Sequence, residues 1–543
     1  MDNKLYSYIG EMPSAINKLF QISLIIIAVA VIAVRLFFLN KGMIFSDDAW
    51  YATLLRDTPQ TNEPTRFFLL FKYMPTGNIF FLRLFIITLL LGSVLFFGFS
   101  IYRYMKVKKA NVSLWLCLSS PFIAMIYVPV IQTPNYIIIN QIIGLISTGL
   151  LLLFLTNKKS WILLIISFIL SFLFASQITC LSMLPAFYAV VLINAENKVK
   201  DTIYFVVGGI LFIIYYLLFV ESLSDIFNFV KAQTVESVDA GSGDYGIGFL
   251  KDWLIVAICY YAKYIVGALL CFILLKLIDK HIHHSIIAAI TSFISILVVF
   301  KYTVGYILPV NNESFLYEHG IIWIILFYLL IKKRGELDKA SWSVVFLCIL
   351  MPLMLSFGTN VQFHIRQVAY LSLVAPFVIV LLKPSIKVKA VLLLALVALC
   401  FQFEKNLNGK NWFGDVYLDQ TNSVSSIGID QNVKVSISEI ERLKYVKTYL
   451  KDGEECFLSN KCWGYVYLLN LKPLSYSFRL PEEVELVKNI SDYLVRNKCK
   501  EVPLLLDDGY EEKYRSLLDN SKIKVRDVTE NKGIHIYMCS LND

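Results

Sequence analysis

Charged residues are scarce in this chain. Asp, Glu, Lys and Arg make up 17% of its 543 residues, whereas 57% are hydrophobic, and the mean hydropathy is +0.64. A water-soluble globular domain carries about 25% charged residues, so that class is excluded. Interruptions of the apolar runs are also few. The hydrophobic residues fall in blocks of about 17–25, the length that crosses a bilayer as helix. The first block, Leu19 to Leu39, has no small-residue cleavage site and is too long for a signal peptide, so it is expected to stay as an anchor. Histidine is rare, and three of the six lie in DKHIHH at 279–284. That short turn has too few acidic neighbours to read as a metal site.

The net charge of +9 is unevenly divided. From Phe403 onward there are 20 Lys/Arg against 22 Asp/Glu, which leaves 30 basic and 19 acidic residues in the apolar part. The excess sits in alternate short loops: Arg103/Lys106/Lys108/Lys109, Lys158/Lys159, Lys198/Lys200, Lys280, Lys332/Lys333/Arg334/Lys339 and Lys383/Lys387/Lys389. The intervening QTPNY (132–136) and PVNNESFLYEH (309–319) contain no Lys or Arg. Such alternation fixes orientation in a membrane; it is not a nucleic-acid patch, and no nucleic-acid partner is expected. The pattern predicts about thirteen spans, centred near residues 29, 90, 120, 147, 168, 187, 211, 264, 296, 326, 349, 375 and 396. The N-terminus is then cytoplasmic, and the loops 40–78, 221–252 and 358–367 and everything after 402 are external, in a bacterium periplasmic.

The expected fold class is an α-helical polytopic membrane region, 1–402, followed by an extracytoplasmic α/β domain, 403–543. Within the latter, SEIERLKYVKTYL and EVELVKNISDYLVRN have a helical period, and ECFLSN and VPLLLDD read as strands. IKVRDVTENKGIHIYM reads as a hairpin turning at Asn531-Lys532-Gly533. Cys456, Cys462, Cys499 and Cys539 lie there, and an oxidising compartment would allow one or two disulfides among them, with the pairing open.

Candidate site residues gather on the predicted outer side. FSDDAWY (45–51) places Asp47 and Asp48 directly after the first span. The bland account is a helix start, with Ser46 as cap and the acids favoured by the helix dipole, AWYATLL being a short amphipathic helix on the membrane surface. The functional account is a carboxylate pair facing a cavity. Arg83, just inside the second span, either snorkels to the head groups or serves as a cation that orients a carboxylate or binds a phosphate. His364 and Arg366 precede a span containing Tyr370 and Pro376. An Arg at an external boundary runs against the positive-inside pattern, and a phosphate at head-group depth would account for it. VESVDAGSGDYGIG (235–248), with four glycines, reads as a flexible connector or as a lid.

Together these features resemble the GT-C class of membrane glycosyltransferases, in particular its protein O-mannosyltransferase-like and lipid A aminoarabinose transferase-like members. The family's Pro-Asp-Glu-x-x-Tyr pattern after span one is matched here by Ser46-Asp47-Asp48-Ala49-Trp50-Tyr51. Its Arg-Leu-Pro start to span two is matched by Arg83-Leu84-Phe85 following Pro64, and its late Arg-Tyr-Leu-x-Pro segment by Arg366, Tyr370 and Pro376 with looser spacing. This chain departs from the family in having Asp48 for Glu. It also has no carboxylate in QTPNY, where Asn135 and Tyr136 would supply hydrogen bonds. The resemblance implies transfer of a sugar from a polyprenyl-phosphate (undecaprenyl-phosphate) donor, with inversion, to a periplasmic glycan, lipid or protein acceptor, O-antigen foremost. It implies Asp47 as base, with Asp48 orienting Asp47 or holding the sugar or a divalent cation (Mg or Mn). Arg366 and Arg83 would neutralise the leaving phosphate, and Tyr51, Asn135, Tyr136, His364 and Tyr370 would line the substrate site. No other cofactor is implied, and membrane lipids are the remaining partner. The competing readings are an O-antigen or capsule polymerase and a lipid-linked sugar transporter or flippase. Against the last, no internal repeat is visible in the sequence.

Overall fold

The thirteen expected span centres all fall on helical segments. They do so in a computed structural model that describes residues 2–43, 45, 47–59, 66–74, 78–125, 133–228, 230–231, 247–282, 285–304, 315–357, 367–408, 417–476, 483–498, 501–507, 523–531 and 533–541. The helices of the apolar part are α1 (Asp2–Phe37), α2 (Asp47–Asp57), α3 (Ile79–Val107), α4 (Tyr136–Asn157), α5 (Trp161–Ser171), α6 (Met183–Asn194), α7 (Lys198–Phe219), α8 (Ile247–His281), α9 (Ser285–Val304), α10 (Phe315–Lys333), α11 (Lys339–Ser356) and α12 (Ile386–Asn408). Six described helices are long and apolar enough to cross a membrane, and six further apolar stretches are shorter. Three of the shorter ones are irregular, and the stretch 178–194 opens with a 3-10 segment at Ile178–Ser182. The one near residue 120 turns from α into 3-10 geometry at Ser120–Met125. The one near 375 combines a 3-10 segment, Gln367–Leu373, with a π turn at Phe377–Leu381. These two irregular pieces pack on each other and are largely buried, as backbone that departs from the α-helix must be at membrane depth.

The chain packs as two units. The first takes in 1–35, 88–128 and 136–409; the second takes in 36–87, 129–135 and 410–543. In the first, α7 shows how sequence makes a membrane helix. Phe205, Phe212 and Tyr216 face inward, while Ile203, Val206, Ile210, Ile213 and Leu217 are exposed on the other side. A helix apolar all round belongs in protein interior or lipid, and its outer face is lipid-contacting surface. By contrast α4 lies inside the bundle, and several of its polar residues make side-chain hydrogen bonds. Gln141 donates to Ser372 Oγ at 2.8 Å, Asn140 to Cys180 Sγ at 3.4 Å and Thr148 to the Gly144 carbonyl at 2.6 Å.

The second unit holds the α/β elements. They are β1 (Asn422–Ser423), β2 (Lys434–Val435), α13 (Ile437–Tyr449), β3 (Glu455–Leu458), α14 (Trp463–Leu468), β4 (Lys472–Pro473), α15 (Glu483–Asn497), β5 (Val502–Asp507), β6 (Ile523–Asn531) and β7 (Ile534–Leu541). The main sheet has the order β4-β3-β5-β7-β6, with β3 parallel to β4 and β5 and the last three strands antiparallel. β5 is central and buried on both faces, which is why its sequence is a continuous apolar run. Leu486, Ile490 and Leu494 of α15, one residue per turn, pack on Leu504 and Leu506. The predicted hairpin is present, with Gly533 at φ +91° in its turn.

Cys456, Cys462 and Cys539 are buried free thiols, and Cys499 lies outside the described residues. Of the disulfides that the sequence allows, none joins these three. Burial pushes the Cys462 and Cys539 thiols up to about 12, which holds them protonated and poorly reactive.

Candidate functional site

After α1 the chain is tied down before it reaches the two aspartates. Asn40 and Gly42 bracket Lys434 with two backbone hydrogen bonds, of 2.7 and 2.9 Å. Gly42 takes φ +73°, and a Cβ there would meet Gln420 Oε1 at 2.4 Å, so only glycine fits. Three residues on, the Phe45 carbonyl accepts from the Gly464 amide at 2.9 Å, and its ring lies 4.8 Å from that of Tyr465. A Cβ at Gly464 would come within 2.0 Å of the Phe45 ring.

Helix α2 then begins at Asp47. Both acids lie in its first turn, where the dipole favours negative charge. Their surroundings differ. Asp48 is 1% exposed; one carboxylate oxygen pairs with Arg83 Nη2, and the other accepts from the Thr133 amide at 3.2 Å. Asp47 is partly exposed.

Arg83 is itself buried, and each of its N–H groups is directed at the chain. Nε donates to Thr133 Oγ1 at 3.4 Å, and Nη1 to the Leu39 and Lys41 carbonyls at 3.2 and 3.4 Å. Nη2 donates to the Gly42 carbonyl at 2.6 Å and to Asp48. No donor is left over for a phosphate, and the side chain does not snorkel. Of the alternatives open in the sequence, orienting a carboxylate is the one this geometry fits. Asp48 does not fit a divalent-cation ligand, because a guanidinium beside it repels a second cation. Among the described residues no group of three His, Cys, Asp or Glu is placed to hold a metal.

The body of α2 does not lie on a membrane surface: Ala49 through Leu55 are buried. The partners come from the C-terminal segment. Trp50 Nε1 donates to the Tyr476 carbonyl at 2.9 Å. Arg56 reaches the Leu471 carbonyl at 2.9 Å and Asn470 Oδ1 at 3.2 Å while pairing with Asp57, and the Tyr476 hydroxyl donates to Asp57 at 3.0 Å. Burial, then the Asp57 carboxylate, push the Tyr476 phenol above its usual value. Sequence reading missed these residues, because nothing in LKPLSY marks a helix partner more than 400 positions away.

Tyr467 was missed as well. Its ring lies 5.8 Å from the Arg56 guanidinium, and its buried hydroxyl has no hydrogen-bond partner among the described residues. Burial raises its phenol, while Arg56 and Arg83 pull the other way.

Of the remaining candidates, Tyr51 is buried at 5.0 Å from the Trp50 ring and edge-on to Phe67 at 5.4 Å. Asn135 donates to the Thr133 carbonyl at 2.8 Å and so braces the turn that holds Asp48. Asp47, Asp48, Tyr51, Arg83 and Asn135 thus belong to one unit. Tyr136 opens α4 in the other unit, its carbonyl accepting from Ser176 Oγ at 3.3 Å. Tyr370, fully buried on the 3-10 segment, belongs there too. His364 and Arg366 lie outside the described residues, as do Ser46 and most of the glycine-rich loop. No family model matches this chain, and no curated protein matches it.

Proposed function

We propose that this chain is a glycosyltransferase of the GT-C kind, with about thirteen spans and its C-terminal domain on the outer side of a bacterial plasma membrane. It transfers a sugar from a polyprenyl-phosphate donor to O-antigen or another envelope acceptor. The observation that supports this reading is the division of labour in the first turn of α2. Asp48 is fixed by Arg83 and the Thr133 amide, and the neighbouring Asp47 is partly exposed in the same first turn. An acceptor hydroxyl needs a base to become a competent nucleophile. Asp47 takes its proton, the hydroxyl oxygen bonds to the anomeric carbon, and the carbon–oxygen bond to phosphate breaks with inversion, releasing polyprenyl phosphate. Arg83 is a positioning residue in this scheme, and the role of neutralising the leaving phosphate falls to Arg366.

The test is a transfer assay in membranes with a polyprenyl-phosphate sugar, comparing the wild type with Asp47→Asn at equal expression. A loss of about 10²–10⁴-fold is expected for a general base. Full activity in the variant removes Asp47 from that role, and modification that proceeds without the donor removes the donor class. An active C-terminal alkaline phosphatase fusion is expected, and an inactive one reverses the orientation.

The two irregular helical segments that pack together favour a second reading as a lipid-linked sugar transporter, since broken helices mark transporter sites. Mass spectrometry of the lipid separates the two readings: a transporter moves the lipid-linked sugar across a liposome membrane intact, whereas a transferase cleaves it.

A further inference from the structure

Lys41 and Lys434 face each other across a parallel β-bridge. Two backbone hydrogen bonds close it: the Lys434 amide donates to the Asn40 carbonyl at 2.7 Å, and the Gly42 amide to the Lys434 carbonyl at 2.9 Å. Segments paired in this way run about 5 Å apart, and residues in register send their side chains to one face. The backbone therefore fixes two lysine side chains beside each other, and like charges placed so are destabilising. No carboxylate offsets them. The cations of this unit that form ion pairs among the described residues are Arg56, Arg83, Arg442, Lys461 and Arg526. Both lysines are partly exposed. Partial burial, then the Lys434 charge, lower the Lys41 ammonium from its ordinary value.

The depth of the pair follows from α1. The apolar stretch Ala15–Phe37 ends four residues before Lys41, and the Lys41 ammonium lies 3.9 Å from the centre of the Phe37 ring. Leu36 and Phe37 are 45% and 53% exposed, which makes them apolar surface at the edge of a span. A lysine in that position lays its stem on apolar surface and holds its charge at the level of the lipid phosphates. The pair is on the protein's surface, so a head group needs no cavity to reach it.

We propose that Lys41 and Lys434 together hold the phosphate of one anionic phospholipid, from the leaflet in which α1 ends, with an acyl chain against Leu36 and Phe37. An anion between the two ammonium groups replaces their repulsion with a shared attraction, and the lipid fastens β2 to the end of the first span. The carbonyls of Lys41 and Gly42 are also acceptors of Arg83, so the bound lipid steadies the segment that aims that guanidinium. Neither Asp47 nor the proposed transfer reaction enters the argument, so the site stands or falls independently of that reading.

The experiment is native mass spectrometry of the full-length protein with phosphatidylglycerol and phosphatidylcholine of identical acyl chains. Phosphatidylglycerol is expected to remain bound at lower concentration than phosphatidylcholine. Lys41→Gln and Lys434→Gln should each weaken its retention about five-fold, the scale of one lysine near an anionic lipid surface. Lys444→Gln, which removes an exposed lysine of α13 outside the bridge, should leave it unchanged. Equal retention of the two lipids overturns the proposal, as does an equal effect of Lys444→Gln, which would mean diffuse surface charge. Displacement of phosphatidylglycerol by equimolar undecaprenyl phosphate would assign the pair to the donor lipid and overturns it as well. Should a bridge variant fail to fold, a photoreactive phosphatidylglycerol on the wild-type chain decides. Cross-links within 36–41 or 433–435 support the site, and cross-links confined to other segments overturn it.

Discussion

Two ion pairs, one in each unit, use opposite charges in opposite ways. In the helical unit ionic contacts sit at helix ends in reach of water. Lys108 pairs with Asp338, whose side chain is 59% exposed and which also caps α11 by accepting from the Ser341 amide at 3.0 Å. In the other unit the Arg83–Asp48 pair is sealed from water, at 1% and 2% exposure, and the arginine also gathers four further acceptors from Leu39, Lys41, Gly42 and Thr133. The first kind of pair is worth little, because water already solvates both partners. The second is costly to break, because whichever partner remains is a buried charge without compensation. A charge pair becomes architecture when it is enclosed and also binds the backbone around it.

That contrast can be broken most severely at Arg83. Arg83→Met leaves the Asp48 carboxylate buried alone and should destabilise the unit by about 3–5 kcal/mol, read as a lowered thermal unfolding midpoint of the purified protein. Retention of the wild-type midpoint would show that the enclosure is not real. Gly464→Val comes next. The added methyl groups collide with Phe45, two residues before Asp47, and overpacking of this kind costs about 1–3 kcal/mol. Transfer activity should fall with it, and an unchanged rate would mean that the C-terminal segment does not set the position of the acids.

Smaller effects sharpen the comparison. Tyr476→Phe removes the hydrogen bond to Asp57 and should cost about 1 kcal/mol. The folded-state value of this phenol is raised, so its contribution is complete below the unfolded value near pH 10 and is lost as pH rises above it. A thermal-stability profile between pH 8 and 11 should therefore fall less steeply at its alkaline end in the variant. At the exposed pair, Lys108→Gln should change stability by about 0–1 kcal/mol. Burial alone would raise the Asp338 carboxyl, but hydrogen bonds from Lys108 and Ser341 outweigh it and bring it down to about 2. That stabilisation is present above the ordinary carboxylate range, near pH 4, and lost as pH falls toward 2. An acid titration of the wild type and Asp338→Asn should diverge only in that window.

The regular elements were legible where one periodicity ruled. VPLLLDD read as a strand and EVELVKNISDYLVRN as an amphipathic helix, and both formed at the expected positions. The α2 segment was legible as a helix but not as a buried one, because AWYATLL carries enough polar residues to suit a surface. Its burial depends on Gly464, Tyr476 and Leu471, which no local pattern connects to it. The span near residue 375 was legible as apolar, but its 3-10 and π geometry was not. Hydropathy records solvent preference and carries no hydrogen-bond register.

What the sequence determined by itself is the solvent each part occupies. Runs of apolar residues long enough to satisfy their own backbone in lipid must become helices, and the charged remainder must lie at their ends or beyond. The acid pair of FSDDAWY was also plain in the sequence, where resemblance alone told the two carboxylates apart. The tertiary structure gives them unequal surroundings. A backbone bridge at Lys434, a left-handed turn at Gly42 and the carbonyls of three residues aim Arg83 at Asp48 and leave Asp47 beside it, partly open. That asymmetry comes from contacts between positions tens to hundreds of residues apart, and these exist only once the chain has closed on itself.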